Sequence, residues 1–299
     1  MEMTRTGKRR VATVGTFDGL HRGHRRVLSL LEATARERGL EPMVVCFDRH
    51  PLETIAPERA PGLVQDPRER DHSLHGEGLD VLILEFTPTL ARLTARDWLR
   101  KMHEEEGVDV LIVGYDNTFG SDGIRMDIAD YRRLGSEVGV EVVEAPYEPH
   151  ASSSAIRRLL REGSLDEANH LLGRPFSLRG TVVEGKHLGR RLGFPTANVE
   201  PPYRALLPKA GVYEVEVNTD TMTHRGVANV GRQPTVGPDE PERVEVYIPG
   251  FEGDLYGSDL TVRFLRRLRD ERQFASLEDL KAQIRHDVEK IDSISKITY

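Results

Sequence analysis

Cysteine is almost missing from this chain of 299 residues: Cys46 stands alone. A lone thiol closes no internal disulfide and builds no cysteine metal site. It lies inside Met43-Val44-Val45-Cys46-Phe47, an apolar run that reads as a buried strand, so a packing role is expected for it. Aromatic residues make up only 6%, with a single tryptophan. No apolar run reaches the length of a membrane span, and mean hydropathy is -0.47, so no membrane partner is expected. The basic residues 1–10 lead into no signal-length apolar segment, and a cytoplasmic location is expected. Positive charge is not in excess either. Lys and Arg number 42 against 49 Asp and Glu, a net charge of -7. Bulk charge therefore gives nucleic acid no footing, although local dipoles can still hold a small anion. The chain shows no internal repeat and no low-complexity tract.

What is present falls into two textures, and the length allows a core for each. Residues 11–15 read as a buried strand. Residues 24–38 read as a helix with Val27, Leu28, Leu31 and Ala35 on one face and Gly39 as its stop. Further strands are expected at 43–47, at 81–84 after a proline- and charge-rich loop, at 108–113 and at 140–143. Thr94, with Asp97 three residues on, caps a helix whose Ala95, Trp98, Leu99 and Met102 face the core. Short apolar strands separated by helices predict an α/β domain with a parallel, doubly wound sheet. Residues 154–163 and 164–173 read as two short helices, with Ser164 and Glu167 at capping-box spacing. From 176 to 264 the pattern changes to short alternating runs broken by Gly and Pro, at 181–183, 211–217, 225–230, 243–248 and 260–264. That predicts a mainly β domain, an antiparallel sheet or barrel. A last helix over 276–291 carries a stripe of Leu277, Leu280, Ile284, Val288 and Ile291. The expected domains are 1–173 and 174–299.

The first candidate site is Gly15-Thr16-Phe17-Asp18-Gly19-Leu20-His21-Arg22-Gly23-His24, directly behind the first strand. Gly15 and Gly19 permit tight turns at the carboxyl end of that strand, which is the ligand edge of an open parallel sheet. Gly23 lets a phosphate approach the start of the next helix. His21 and His24, three apart, can point to one side, donate to phosphate oxygens and stabilise charge during attack on an α-phosphate. A bare histidine pair is more often surface decoration; the glycine turn after a buried strand shifts the weight to catalysis. The loop Phe47-Asp48-Arg49-His50-Pro51 and the loop of 114–120, with Asp116, follow other strands and can face the same crevice. Ser152, Ser153 and Ser154 open a helix with Arg157 one turn on, a second phosphate clamp. Taken alone, three serines are an N-cap.

The second candidate lies in 180–198, the densest glycine segment. It lacks the Gly-Lys-Ser/Thr ending of a P-loop. Gly185, Gly189 and Gly193, with Lys186 between the first two, instead read as a flap over phosphates. Thr196 and Asn198 are two apart, so an extended backbone turns both the same way. Their hydroxyl and amide oxygens are hard ligands suited to Mg2+. Glu245 alternates with Val244 and Val246 and must face away from them; on its own it reads as a solvent-facing carboxylate.

Gly193-Phe194-Pro195-Thr196-Ala197-Asn198 matches the flavokinase signature, and His21-Arg22-Gly23-His24 matches the His-x-Gly-His motif of nucleotidyltransferases. From about Val11 to Ile291 the chain resembles the bacterial bifunctional riboflavin kinase/FMN adenylyltransferase (FAD synthetase) family. The resemblance implies a Rossmann-like nucleotidyltransferase domain followed by a flavokinase β-barrel. It implies that Gly15, Phe17, Asp18, His21, Gly23, His24, Ser152 to Ser154 and Arg157 bind one ATP. It implies that His50, Pro51 and Asp116 help bind the flavin substrate, and that Arg269 and Glu271, in 268–274, lie over flavin in the other domain. Gly185, Lys186, Gly189, Thr196 and Asn198 then hold the second ATP with Mg2+, and Glu245 is the base. The implied reactions are phosphorylation of riboflavin to FMN and adenylylation of FMN to FAD, with flavins as substrate and products and no nucleic-acid partner. The chain departs from the family's usual residues at Thr16, Arg49, Asn117, Ser154 and Tyr247. Two rival readings remain open at this point, a kinase with an idle adenylyltransferase half and a flavin-binding regulator without turnover.

Overall fold

A computed structural model describes residues 7–115, 117–185, 189, 192–219, 222–231 and 243–295. They form two compact units, one of residues up to 61 with 67–152, the other of residues 62–66 with 153 onward.

The first unit runs β1 (Arg10–Val14), α1 (Arg22–Arg38), β2 (Glu41–Phe47), α2 (Pro51–Ile55), α3 (Pro67–Gly76), β3 (Asp80–Leu84), α4 (Pro88–Ala91), α5 (Ala95–Glu106), β4 (Val108–Val113), α6 (Ile128–Val138) and β5 (Glu141–Glu144). Its five strands are parallel in the order β3-β2-β1-β4-β5. The order reverses between β1 and β4, which opens a crevice at their carboxyl ends. Strand alternation sends Ala12, Val14, Met43, Val45 and Leu111 against Trp98, Leu99 and Met102 of α5. The intervening Val11, Val44, Cys46, Val110 and Ile112 meet Leu28 and Leu31 of α1 and Leu74 of α3. Both faces are covered, which is why these strands are apolar throughout. The expected stops and caps are present. Gly39 ends α1 at φ 63 with its N–H on the Ala35 carbonyl, and Thr94 accepts from the Asp97 amide at 3.2 Å.

One stretch differs from expectation. Residues 67–76, within the proline- and charge-rich loop, form helix α3. Pro67-Arg68-Glu69-Arg70-Asp71-His72-Ser73-Leu74 offers one apolar anchor, so no stripe is legible. The helix is held by burying Leu74 and, unusually, Arg70. Cys46 is fully buried, and desolvation pushes its thiol up to about 12, against the smaller opposing pull of Arg70. At about pH 8 the native thiol therefore stays protonated, and an aromatic disulfide reagent should label it only after denaturant unfolds the chain; labelling of the folded protein within minutes would contradict this.

The second unit contains α7 (Ser153–Glu162), α8 (Leu165–Leu172), β6 (Phe176–Val183), β7 (Thr196–Glu200), β8 (Gly211–Asn218), β9 (Thr223–Gly231), β10 (Arg243–Tyr247), β11 (Asp259–Arg269) and α9 (Leu277–Ser295). The six strands close into an antiparallel barrel in the order β10-β7-β6-β11-β8-β9. Its core includes Leu178, Val199, Tyr213, Val230, Val244, Val246 and Phe264, joined by Ile156, Leu160, Leu165, Ala168 and Leu172 from α7 and α8. Helix α9 packs through Ile291 and Val288 on Val212 and Val227, which are out of phase with the core residues Tyr213 and Ala228. Ser164 occupies the N-cap of α8, yet its side chain makes no capping bond, so the expected box with Glu167 is not formed. The turn from α7 is too tight: the Ser164 amide is already spent on the Leu159 carbonyl, and its backbone sits at φ -80, ψ 64.

Residues 62–66 also belong to this unit. Leu63 donates to the Arg204 carbonyl and accepts from the Leu206 amide, both at 2.8 Å, and Val64 enters the core. Five core side chains thus come from residues 153–173. Each contributes roughly 1–3 kcal/mol of burial, a sum comparable to the whole stability of a domain. A fragment of residues 153–299 should melt cooperatively, and well above one of residues 174–299. Equal melting temperatures would show that α7 and α8 are dispensable to the barrel.

Candidate functional site

In the first unit, the chain leaves β1 through a strained turn. Phe17 and Leu20 adopt left-handed conformations at φ 47 and φ 43, and Gly19 sits at φ 93. For bulky residues that costs roughly 1–2 kcal/mol each; both are held by burial at 2% exposure. The turn delivers His21 to the N-cap of α1, where its Nδ1 accepts from the His24 amide at 3.3 Å. An accepting Nδ1 puts the proton of the neutral ring on Nε2. The two imidazoles stack, centroids 3.6 Å apart and 18° from parallel, with the Phe17 ring 5.0 Å from that of His24. Gly23 has a packing reason to be glycine, because a Cβ there would come within 2.6 Å of the Ala151 carbonyl oxygen. Asp18 is buried in the same turn.

The neighbouring loops are tied down by polar side chains. Asn117 donates its amide to the Val14 carbonyl at the end of β1. Arg49 pairs with Asp48 at 2.7 Å. Burial works to raise the Asp48 carboxyl, but hydrogen bonds from Arg49 and the Phe86 amide outweigh it and hold the group below its usual range. His50 caps α2, its Nδ1 accepting from the Leu52 amide at 3.2 Å while Glu53 returns to the His50 amide, and Pro51 takes the first helical position. Asp116 lies outside the described residues.

Arg70 carried no sequence signal and turns out to be central. From α3 its buried guanidinium donates to the Thr16 carbonyl at 2.8 Å and to the Phe47 carbonyl at 3.1 Å. It thereby ties together the loops that leave β1 and β2, with Asp71 as its counter-charge at 2.7 Å.

In the second unit, Ser153 and Ser154 open α7, and the buried Arg157 donates to the Gly62 carbonyl at 3.0 Å. Ser152 belongs to the first unit. A cavity of about 720 Å3 lies between the outer face of the barrel and α9 with the segment before it. Gly185, Gly189, Thr196, Asn198 and Glu245 all line it, as do Arg269 and Glu271; Lys186 lies outside the described residues. Strand register explains the gathering. On β10, Val244 and Val246 point into the core, so Glu245 points out. Its cross-strand neighbours are Asn198 on β7 and Asn229 on β9, and Tyr247 stands opposite Thr196. Tyr247 and Phe194 meet edge to face at 5.4 Å as an aromatic wall.

Asn198 is 7% exposed, and its Oδ1 has no hydrogen-bond partner among the described residues. A buried amide oxygen left so costs about 1–3 kcal/mol. A hard cation or a donor arriving in the cavity would recover that. A Cβ at Gly185 would collide with the Asn198 amide, and one at Gly189 with the Phe194 carbonyl. Both glycines are therefore required for the backbone to close over the Thr196–Asn198 pair.

Known proteins resemble this chain along its length. Residues 3–156 match a family model described as FAD synthetase, and residues 172–295 one described as riboflavin kinase. A Pseudomonas fluorescens protein named bifunctional riboflavin kinase/FMN adenylyltransferase is 41% identical over 93% of this chain and 90% of its own length. The protein of that name from Escherichia coli strain K12 is 39% identical over the same shares. A solved structure titled as a macrolide-efflux protein from Streptococcus pneumoniae is 32% identical, covers 95% of this chain and 94% of its own, and superposes with a TM-score of 0.82. Among the described residues no helix is long and apolar enough to cross a membrane.

Replacing Arg70 by Ala should cost the chain roughly 2–3 kcal/mol, the range for hydrogen bonds from a buried charged donor. Amide exchange should accelerate across residues 15–24 and 47–50, which hydrogen-exchange mass spectrometry can read. Unchanged exchange in both loops would mean that other contacts hold them.

Proposed function

Because the chain belongs to the bifunctional riboflavin kinase/FMN adenylyltransferase family, we propose that its two chemistries are divided between the two candidate sites. It is an enzyme with both activities: ATP-dependent phosphorylation of riboflavin to FMN, then adenylylation of FMN to FAD with release of pyrophosphate.

The cavity of the second unit is assigned to the kinase step. Glu245 takes the proton of the riboflavin 5′-hydroxyl as that oxygen bonds to the γ-phosphorus of ATP, and the bond to the departing ADP breaks. Thr196 and Asn198 would hold Mg2+ together with phosphate oxygens; the orphaned Asn198 Oδ1 and the two glycines whose backbone closes over the pair fit that role. When bound, the ion neutralises phosphate charge. Gly185, Lys186 and Gly189 cover the phosphates, while Arg269 and Glu271 face the flavin.

The turn from Gly15 to His24 is assigned to the adenylyl step. An FMN phosphate oxygen attacks the α-phosphorus of ATP and pyrophosphate leaves, with no covalent enzyme intermediate. Gly15, Phe17, Asp18 and Gly23 shape the turn, and the stacked His21 and His24 donate to the charge that builds on the phosphate oxygens. His50, Pro51 and Asp116 are assigned to FMN, and Ser152, Ser153, Ser154 and Arg157 to ATP, on sequence grounds. A cytoplasmic setting suits substrates of this kind.

The observation that carries the reading is one cavity holding Glu245 beside the unsatisfied Asn198. Product analysis from riboflavin and MgATP tests it. Glu245→Ala should lower FMN formation by about 100-fold or more and leave conversion of supplied FMN to FAD intact. His24→Ala should do the reverse. If either variant, still folded, loses both steps equally, the division of labour is wrong.

A further inference from the structure

Residues 270–276 form neither helix nor strand, yet Glu271, Arg272, Gln273 and Phe274 make up one wall of the kinase cavity. An irregular segment holds a fixed shape only if something outside it offsets the entropy of ordering. Three ties do so. Arg269, the last residue of β11, sets its guanidinium against Asp287 of α9, with Nη2 at 2.7 Å and Nε at 3.0 Å from Oδ2 and Nε at 3.2 Å from Oδ1. Gln283, one turn earlier on α9, donates to Asp287 Oδ1 at 2.7 Å and accepts from Arg272. On the far side, Glu271 accepts from Asn229 at 3.0 Å, and its carboxylate lies where a Cβ on Gly231 would collide. Between these ties the Arg272 guanidinium covers the Phe274 ring at 4.8 Å.

Asp287 is 1% exposed. A carboxylate buried that deeply stays in place only because a cation meets it with good geometry. Docking of α9 does not account for it, since the helix already packs through Val288 and Ile291 on Val212 and Val227. What Asp287 and Gln283 add is a grip on Arg269 and Arg272, at the entry to the irregular segment and in its middle. We propose that Asp287 is a positioning residue of the riboflavin kinase, locking residues 270–274, through Arg269 and Gln283, as a preformed wall for the flavin ring. This rests on the reading that the segment faces the flavin. Without the latch, flavin binding must bear the cost of ordering the wall, while phosphoryl transfer at Glu245 proceeds once flavin is bound.

Steady-state kinetics on the full chain test this. Asp287→Ala should raise KM for riboflavin about tenfold, keep kcat within about twofold and leave KM for ATP unchanged. Gln283→Ala, at a half-buried helix position where folding is not at stake, should move the same constant about threefold. Asp287→Glu should recover part of the riboflavin KM lost in the alanine variant. FAD formation from supplied FMN should be unaltered throughout. Unchanged riboflavin KM in both alanine variants overturns the latch, and Glu245→Ala measured alongside shows separately whether the kinase assignment stands. A rise confined to the ATP KM overturns it too, because the wall would then serve the nucleotide. So does a loss of kcat at constant KM with a lowered melting temperature, the mark of a structural role alone.

Discussion

The pairing of β10 between β7 and β9 is the constraint on which the second unit turns. A pleated strand shows successive residues to opposite faces, so one register decides both the barrel core and the reactive surface. With Glu245 opposite Asn198 and Asn229, Val244 and Val246 fall into the core. A slip of one residue would bury the carboxylate among valines and turn two valines toward the cavity. Burying an unpaired carboxylate costs far more than any single aliphatic contact returns. The core therefore enforces the chemistry, and no separate device is needed to aim Glu245.

The first unit solves its problem differently, because its site is made of turns rather than strand faces. The sheet supplies only a place, the crevice where strand order reverses beside β1. The turn that fills it is unfavourable in isolation, with two bulky residues in left-handed conformations. Their combined cost, roughly 2–4 kcal/mol, matches what burial of Phe17 and Leu20 returns. Arg70 and Asn117 then hold the Thr16 and Val14 carbonyls from α3 and from the loop after β4. The histidines stack at the head of α1 as the outcome of that strain and its compensation.

Much of this was legible in the sequence. The five parallel strands, Gly39, the Thr94 cap, five of the six barrel strands and the terminal helix each follow from a local pattern of apolar spacing or turn chemistry; β7, at Thr196–Glu200, was not among the expected strands. The Thr196–Asn198 face and the outward Glu245 followed from alternation alone. Helix α3 was not legible, because a helix anchored by Leu74 and a buried arginine has no apolar stripe. The Ser164 box had the right spacing and failed because a tight turn had already used its backbone. Arg70 and Asp287 were invisible for a deeper reason. Each acts on a partner far away in sequence, and a charged residue on a polar helix looks the same whether its face is solvated or buried. The glycines at 23 and 185 were recognised, but for phosphate access or flap motion rather than for the backbone and side-chain atoms that crowd them.

Arg70 and Arg269 show one device used twice. In each unit an irregular segment that lines a candidate site is fastened by a guanidinium belonging to, or meeting, a helix outside that segment. Arg70 spans two carbonyls from two loops; Arg269 engages both oxygens of Asp287 and also the Asp270 carbonyl. The task is a planar one, several acceptors held at fixed angles by one rigid group, and it needs the fork of arginine rather than its charge. Lysine at either position has the reach and the charge, but its point-like ammonium cannot hold two fixed acceptors in one geometry and loses more hydration on burial. The chain can thus spend its glycines and histidines on the reacting groups only because a buried arginine, Arg70, and a half-buried one, Arg269, have already fixed the backbone around them.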